Sequence, residues 1–296
     1  MENKNKIKEI LIELGLSTND SIIPFFPRVR DRNDVSVLKC TKSGVIFLSS
    51  TDHIDNSYYT QKDNFDYWGT DDREEALKKL GSEDDQRRYG QFKGIIENKK
   101  WLDVGTGVGG ILDLLSPTAN VTKAVEPQKN VKDFLEESGY DVYLSVENAE
   151  DDFFDVVTLF HVFEHFTDPI DTLKVARRKM TKGGKIIIEV PHANDFLISF
   201  LESDDFKSFT FWSEHLILHT RESLSAFLKE AGFSNITVSG FQRFPLVNHL
   251  HWLSKGKPGG HIDWPRLRTE ELDRAYANML SDIDKTDTLI AIAENL

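Results

Sequence analysis

The sequence predicts an α/β fold, a doubly wound and mostly parallel sheet of seven strands, and three observations support this. Short apolar runs alternate with helical segments after residue 98, at the spacing typical of βαβ units. Residues 101–110 (WLDVGTGVGG) have the pattern of a buried strand that enters a glycine turn and then a helix. Glu126 ends the next apolar run, where a parallel strand would reach its carboxyl end.

The elements of this core follow in order along the chain. The predicted strands are about 100–104, 121–126, 141–145, 155–160, 185–190, 235–239 and 286–293. The predicted helices are about 109–115, 128–138, 168–180 and 221–231. Gly232 suits the end of the last helix, because glycine accepts the left-handed conformation of a C-cap. A glycine turn at 183–184 is expected to separate the third helix from the fifth strand.

Two regions depart from the alternation. Residues 1–98 are expected to form an N-terminal lobe with helices at about 72–80 and 83–97, before a core over 99–296. Residues 240–285 separate the last two strands, and a connection of this length usually carries structure or function of its own. This insert contains aromatic residues and histidines, and a helix is predicted at about 269–280. We expect either a substrate-facing flap or a packed lobe or dimer contact.

Composition restricts the class of protein. The chain has 296 residues and a net charge of −13, which disfavours binding to nucleic acid or to anionic membranes. Cys40 is the single cysteine, so no internal disulfide can form, as suits a cytoplasmic protein. We find neither a signal peptide nor an apolar run near the ~20 residues of a membrane span.

The glycine turn predicts a nucleoside-containing cofactor. Glycines let the backbone turn tightly beside a ligand, and Glu126 is placed to accept both hydroxyls of a ribose. Gly105, Gly107 and Gly110 fit the G-x-G-x-x-G pattern of dinucleotide sites. With Gly109 as the third glycine, the same turn fits G-x-G-x-G, which suggests S-adenosylmethionine.

Three details favour S-adenosylmethionine over a dinucleotide. Asp103 stands where a dinucleotide-binding strand is usually apolar, and no second nucleotide-binding half follows. The later segments 154–160 and 180–191 also fit. The chain therefore resembles the class I S-adenosylmethionine-dependent methyltransferases, particularly the group with quinone- and sugar-modifying members, over about residues 85–240. The resemblance implies a Rossmann-like fold whose last two strands pair as an antiparallel hairpin.

The resemblance also implies a set of cofactor-binding residues. The glycine loop and the strand before it would hold the methionine end, through Asp103, Gly105, Thr106, Gly107 and Gly109. Glu126 would hold the ribose, and Glu147 or Asn148 the adenine. Arg88, or its neighbour Arg87, would meet the cofactor carboxylate. The remaining candidates are His161, in the turn that supports the site, and Tyr59 and Tyr67, which would close over the cofactor.

Three patterns raise the question of a metal, and none of them leads us to expect one. Residues 161–165 read H-x-x-E-H, as in one class of zinc peptidases, but His161 follows a strand instead of lying within a helix. His215 and His219 have the same spacing without an evident third ligand. Cys40 resembles half of a zinc ribbon, yet Ser43 replaces its partner cysteine.

An alcohol acceptor needs a base, most often a histidine. The candidates at the carboxyl edge of the sheet are His215, His192 and His161, in that order. We expect methyl transfer to a small polar acceptor, foremost a hydroxyl of an activated or nucleotide-linked sugar for a surface polysaccharide or glycosylated metabolite. An amine, phenol or quinone precursor stays open as acceptor, as do a zinc hydrolase, a non-catalytic cofactor-binding subunit and a homo-oligomer.

Overall fold

The computed structural model describes residues 5–54, 58–59, 73–80 and 83–296, and within these residues the strands form two sheets. The strands are β1 (Ile22–Phe26), β2 (Val37–Cys40), β3 (Ile46–Leu48), β4 (Lys100–Val104), β5 (Val121–Val125), β6 (Asp141–Tyr143), β7 (Phe154–Phe160), β8 (Met180–Pro191), β9 (Ile217–Leu218), β10 (Ser234–Phe241) and β11 (Thr288–Glu294).

The larger sheet confirms the predicted fold class. Its seven strands, counted over the described residues, run in the order β10-β11-β8-β7-β4-β5-β6. The strands from β8 to β6 are parallel, and β11 is antiparallel to both β8 and β10. The order reverses at β4, whose neighbours β5 and β7 lie on opposite sides, so a crevice opens at the carboxyl ends of these strands.

Helices cover both faces of this sheet. The α-helices of the described residues are α1 (Lys6–Glu13), α2 (Arg73–Leu80), α3 (Glu83–Ile96), α4 (Gly110–Leu115), α5 (Lys129–Glu137), α6 (Pro169–Lys179), α7 (Phe196–Ser199), α8 (Asp204–Thr210), α9 (Arg221–Glu230), α10 (Leu246–Lys255), α11 (Gly260–Asp263) and α12 (Glu270–Asp282). Trp101 and Leu102, adjacent on β4, are fully buried in two different apolar clusters. This burial on both faces is what a parallel sheet between helical layers requires.

One strand begins earlier than its sequence predicts. We expected a glycine turn at 183–184, but β8 already pairs from Met180, with an irregular register before Lys185. Gly183 has a φ of +80° within the strand, and a Cβ on Gly184 would lie 2.9 Å from the Thr181 carbonyl oxygen. The two glycines therefore permit a distorted strand.

The smaller sheet lies close to the carboxyl edge of the larger one. Its order is β1-β2-β3-β9 within the described residues, and β9 comes from the segment after β8. An isolated bridge joins His192, just after β8, to His219, just after β9. The N-terminal strands are therefore held beside the crevice.

The insert leaves and rejoins the sheet at this same edge. Phe241 at the end of β10 pairs with Thr288 at the start of β11, and Thr288 also pairs with Pro191 at the end of β8. The predicted helix of the insert is α12, whereas α10 was not predicted. In the part of the chain that the structure describes, no helix has the length and apolar character needed to cross a membrane.

Candidate cofactor and acceptor site

The glycine loop is anchored to β5 and leaves no room for side chains. The amides of Gly105 and Thr106 both donate to the Val125 carbonyl, at 2.9 and 3.1 Å. Gly105 has a φ of +73°, and a Cβ there would lie 2.4 Å from Cγ2 of Val162. Gly107 and Gly109 also have positive φ values, +55° and +78°. The loop therefore needs glycine for its conformation and for its close approach to the turn after β7.

Glu126 is a buried carboxylate at the base of this loop. Its two oxygens accept hydrogen bonds from the amides of Gly107, at 3.0 Å, and Gln128, at 2.9 Å. Burial raises the pKa of Glu126 to about 7, although the two backbone hydrogen bonds oppose the shift. A carboxylate in this place would accept from a ribose.

Asp103 lies within β4 and is bound by a residue that sequence reasoning missed. Its Oδ1 accepts from the Thr158 hydroxyl at 2.6 Å, and that hydroxyl accepts from Trp101 Nε1 at 2.8 Å. Burial raises the pKa of Asp103 to about 6. Thr158 gave no signal in the sequence, because a threonine inside an apolar strand is ordinary.

Two arginines of α3 reach the carboxylate of Glu189 on β8. Arg87 binds it in a bidentate manner, at 2.7 and 2.9 Å, and Arg88 Nη2 contacts Oε1 at 2.8 Å. The Nε of Arg88 is buried and has no hydrogen-bond partner among the described residues. Buried N–H groups are nearly always hydrogen-bonded, and a guanidinium N–H pairs well with a carboxylate. This atom would therefore suit the carboxylate of a cofactor.

His161 follows β7 directly, as the sequence predicted, and has a left-handed backbone with a φ of +53°. Its Nδ1 lies 3.3 Å from Glu164 Oε1, and its Nε2 lies 3.2 Å from Glu189 Oε1. Burial and Arg243 act to lower the pKa of His161, but the two glutamates outweigh them and raise it. Both ring nitrogens are thus engaged.

Arg243 comes from the insert, and sequence reasoning gave it no role. Its Nη1 lies 3.1 Å from His161 Nε2, and its Nε donates to Asp84 Oδ1 on α3 at 3.1 Å. The same pairing holds the pKa of Asp84 well below its usual range, although burial opposes this. The insert is therefore tied to α3 and to the turn after β7 through one side chain.

A second group of polar side chains lies beside His161. Atoms of Glu164, His165 and His215 that could bind a metal lie within 4.8 Å of one another. Burial, together with His165, lowers the pKa of His215 to about 3, so its ring is uncharged at neutral pH. Tyr59 reaches this group as well, since its hydroxyl lies 3.3 Å from His165 Nδ1.

A cavity of about 290 Å³ opens between the carboxyl edge of the sheet, the segment after β8 and the insert. His161, His192 and His215, the three predicted catalytic candidates, all contribute to its lining. Its aromatic lining residues are Phe206, Phe209, Phe244 and Trp252. The structure thus brings the three histidines to one site.

These three histidines differ in their surroundings. His192 is completely buried, and its Nδ1 lies 2.9 Å from the Thr286 carbonyl oxygen. Burial lowers the pKa of His192 to about 4. His215 is only partly buried, and its Nδ1 has no hydrogen-bond partner among the described residues.

The other candidates are placed as follows. Glu147 and Asn148 are exposed on the turn after β6, the strand next to β5, and Asn148 Oδ1 accepts from Ser145 at 2.9 Å. Tyr67 lies outside the described residues. Cys40 is buried, with its Sγ 3.4 Å from the Ser21 hydroxyl.

The residues present fit S-adenosylmethionine. Three glycines of the loop have positive φ values, and Glu126 directly follows the adjacent strand β5. The buried Nε of Arg88 adds a donor for a carboxylate. The cofactor would therefore lie across the carboxyl ends of β4 and β5, as ligands do in open α/β sheets.

Comparison with known proteins assigns the chain to a family. Residues 44–238 match the family described as methyltransferase domain. An uncharacterized protein of Methanocaldococcus jannaschii is 28% identical over 148 residues, which are 49% of this chain and 69% of that protein.

Solved structures show the same fold. An S-adenosylmethionine-dependent methyltransferase from Archaeoglobus fulgidus superposes with a TM-score of 0.51 and 20% identity, over 73% of this chain and 95% of that chain. A chain from the complex of the Haloferax volcanii Trm112 methyltransferase activator with a methyltransferase has a TM-score of 0.54 and 15% identity, over 79% and 98%. With its sheet order, its glycine loop and the match over two thirds of its length, the chain belongs to the class I S-adenosylmethionine-dependent methyltransferases.

Proposed function

We propose that the protein transfers a methyl group to a hydroxyl of a small polar acceptor, foremost an activated or nucleotide-linked sugar. The observation that carries this proposal is the cavity of about 290 Å³ at the carboxyl edge of the sheet. Its wall includes His161, and the following residue, Val162, lies against Gly105. An acceptor in the cavity would therefore lie close to the methionine end of the cofactor.

The lining of the cavity combines apolar ring faces with a few polar groups, and a sugar ring has both an apolar face and polar hydroxyls. The rings of Phe244 and Trp252 offer apolar faces, while Asn248 and Asp287 add polar groups on the same lining. A volume at the lower end of the usual range for ligand pockets also suits a small metabolite. Such a product would enter a surface polysaccharide or a glycosylated metabolite, made in the cytoplasm.

Bound S-adenosylmethionine supplies an activated methyl group, so the protein mainly has to align the acceptor and exclude water. As the bond from carbon to the acceptor oxygen forms, the bond from carbon to sulfur breaks, and the hydroxyl must lose its proton. We assign the promotion of this proton loss to His215, because it lines the cavity, is less buried than His192, and has an uncharged ring whose Nδ1 has no hydrogen-bond partner among the described residues. The ring nitrogens of His161 are engaged by Glu164 and Glu189 instead.

An amine acceptor is the alternative, because an amine that is already neutral needs no help to lose a proton before it is methylated. The two cases predict different effects of one substitution. With a hydroxyl acceptor, His215→Ala lowers kcat by about 10² to 10⁴, the usual contribution of assisted proton transfer. With a neutral amine acceptor, the same variant keeps a kcat within a few fold of the original.

The test incubates the purified chain with methyl-labelled S-adenosylmethionine and a panel of nucleotide-activated sugars, and detects labelled products by mass. Labelled sugar identifies the acceptor, and His215→Ala is then assayed on it. His261→Ala is the matched control, because His261 contacts Asn248 inside the insert and is absent from the described lining of the cavity. Tight cofactor binding without any labelled sugar would contradict the sugar proposal and direct the search to amines and phenols.

A further inference from the structure

We propose that Glu164, His165 and His215 bind a divalent first-row metal ion at the wall of the acceptor cavity. The inference rests on the proposed function and states how His215 acts there, as a metal ligand and not as a proton acceptor. It also differs from the sequence expectation of no metal. The third ligand comes from the segment before β9, which the H-x-x-E-H pattern alone does not reveal.

The separation of the donor atoms is close to that of an occupied site. Histidine nitrogens and carboxylate oxygens lie about 2.0–2.2 Å from a bound zinc ion, so two ligand atoms of a tetrahedral site are about 3.3–3.6 Å apart. His165 Nε2 already lies 4.0 Å from Glu164 Oε1, and the donors of all three residues lie within 4.8 Å. Side-chain movements of less than about 1 Å would bring them to bonding distance.

Two buried atoms of this cluster, one on Glu164 and one on His215, have no hydrogen-bond partner in the described part of the chain. Glu164 is completely buried, and its Oε2 has no hydrogen-bond partner among the described residues. His215 Nδ1 is likewise buried and without a hydrogen-bond partner there. Buried polar atoms are nearly always satisfied by protein, water or an ion, so these atoms point to a ligand between them.

The neighbouring groups would orient the ligands as in known metal sites. A metal-bound histidine usually donates its other ring N–H to an oxygen, and His165 Nδ1 has the Tyr59 hydroxyl at 3.3 Å for this purpose. The Nδ1 of His161 lies 3.3 Å from Glu164 Oε1, which orients that carboxylate. The Leu216 amide donates to the Glu164 carbonyl at 2.9 Å, so the two ligand-bearing segments are fixed to each other.

The donor set indicates the kind of ion and its task. Two imidazoles and one carboxylate suit Zn²⁺ and other first-row ions, and three protein ligands leave a position open for substrate. The ion would bind the acceptor oxygen and lower the pKa of the hydroxyl, since His215 belongs to both the cluster and the lining of the cavity. The O–H proton then passes to water, while the oxygen takes the methyl carbon and the carbon–sulfur electron pair stays on sulfur.

The test is a calorimetric titration of the metal-stripped, untagged full chain with Zn²⁺. We expect one equivalent to bind to the wild-type chain and to His261→Ala, and the affinity to fall at least tenfold in His165→Ala and in His215→Ala. Circular dichroism of each variant controls for folding, and the conservative variant Glu164→Gln, which keeps the shape of the ligand, should also bind more weakly. No binding by the wild-type chain, or equal affinity in all variants, overturns the site.

Activity separates this inference from the proposed function. Labelled sugar that forms equally with the stripped and the Zn²⁺-loaded chain would overturn the part of the ion in the reaction and leave the proposed function standing. Zn²⁺ binding that depends on the three ligands, without any methylated sugar, would support the metal site and contradict the sugar acceptor. A product that forms only with the loaded chain supports both.

Discussion

Buried carboxylates are placed where a nucleoside would bind, and Glu126 is the clearest of them. Its pKa of about 7, raised by burial, lies above the ordinary value of 4.5. Between these two pH values the carboxyl of Glu126 is protonated in the folded apo protein and ionised in the unfolded chain. The contribution of this protonation to the free energy of unfolding therefore decreases as the pH rises from 4.5 to 7. A ribose that donates two hydroxyls requires the ionised form instead.

The affinity for the cofactor should therefore depend on pH near neutrality. We expect the Kd for S-adenosylhomocysteine to rise up to about tenfold per unit as the pH falls below 7 and to level off above it, because binding displaces one proton. Calorimetry from pH 6 to 8.5 measures this. The variant Glu126→Gln still contains Asp103, so any pH dependence of the Kd that the variant loses is due to Glu126. A pH dependence that stays the same in the variant would contradict the assignment.

At the scale of elements, a single side chain connects three parts of the fold. Arg243 extends from the insert to Asp84 on α3 and to His161 after β7. The side chains of Arg243 and Asp84 are 24% and 32% exposed, so water screens their ion pair only in part. The position of the insert over the cavity thus depends on a charged contact with an element some 160 residues earlier in the chain.

Breaking this contact should loosen the acceptor side more than the cofactor side. For Arg243→Met we expect a lower melting temperature and a KM for the acceptor raised about tenfold, with a Kd for S-adenosylhomocysteine within about threefold. The double variant Arg243→Met with Asp84→Asn should regain part of the lost stability, because it removes a carboxylate that has lost Arg243 and keeps, among the described residues, only Arg87 as an ion-pair partner. Arg266→Met, at an exposed position of the insert, is the control. Equal changes of melting temperature and of acceptor KM in Arg243→Met and Arg266→Met would contradict the role of Arg243 in positioning the insert.

The whole molecule shows which features a sequence can predict. The alternation of β4 to β8 with helices was readable because parallel strands are apolar on both faces and glycines end the elements. The glycine loop, and the position of Glu126 at the end of a strand, could be predicted because a few neighbouring residues in the sequence indicate each of them. The grouping of His215 with Glu164 and His165, and the contact of Arg243 with His161, depend on tertiary placement and left no periodic signal.

Cofactor binding should be visible in the stability of the entire chain. A ligand at one hundred times its Kd stabilises the folded state by about 2.7 kcal/mol. For a chain of 296 residues we expect a rise of roughly 4 to 5 °C in melting temperature with S-adenosylhomocysteine. Differential scanning fluorimetry measures this, and Glu126→Gln should show a smaller rise at the same concentration. A wild-type melting temperature that stays constant would contradict cofactor binding at this site.

The pairing of Phe241 with Thr288 has a consequence for how this protein could be changed. Since the residues on either side of the insert are already neighbours in the sheet, a short turn could close β10 onto β11 and leave the cofactor cradle in place. The segment between them then behaves as a cassette. Exchanging it for the corresponding segment of another methyltransferase would be a route to grafting a different acceptor preference onto the same cofactor-binding half.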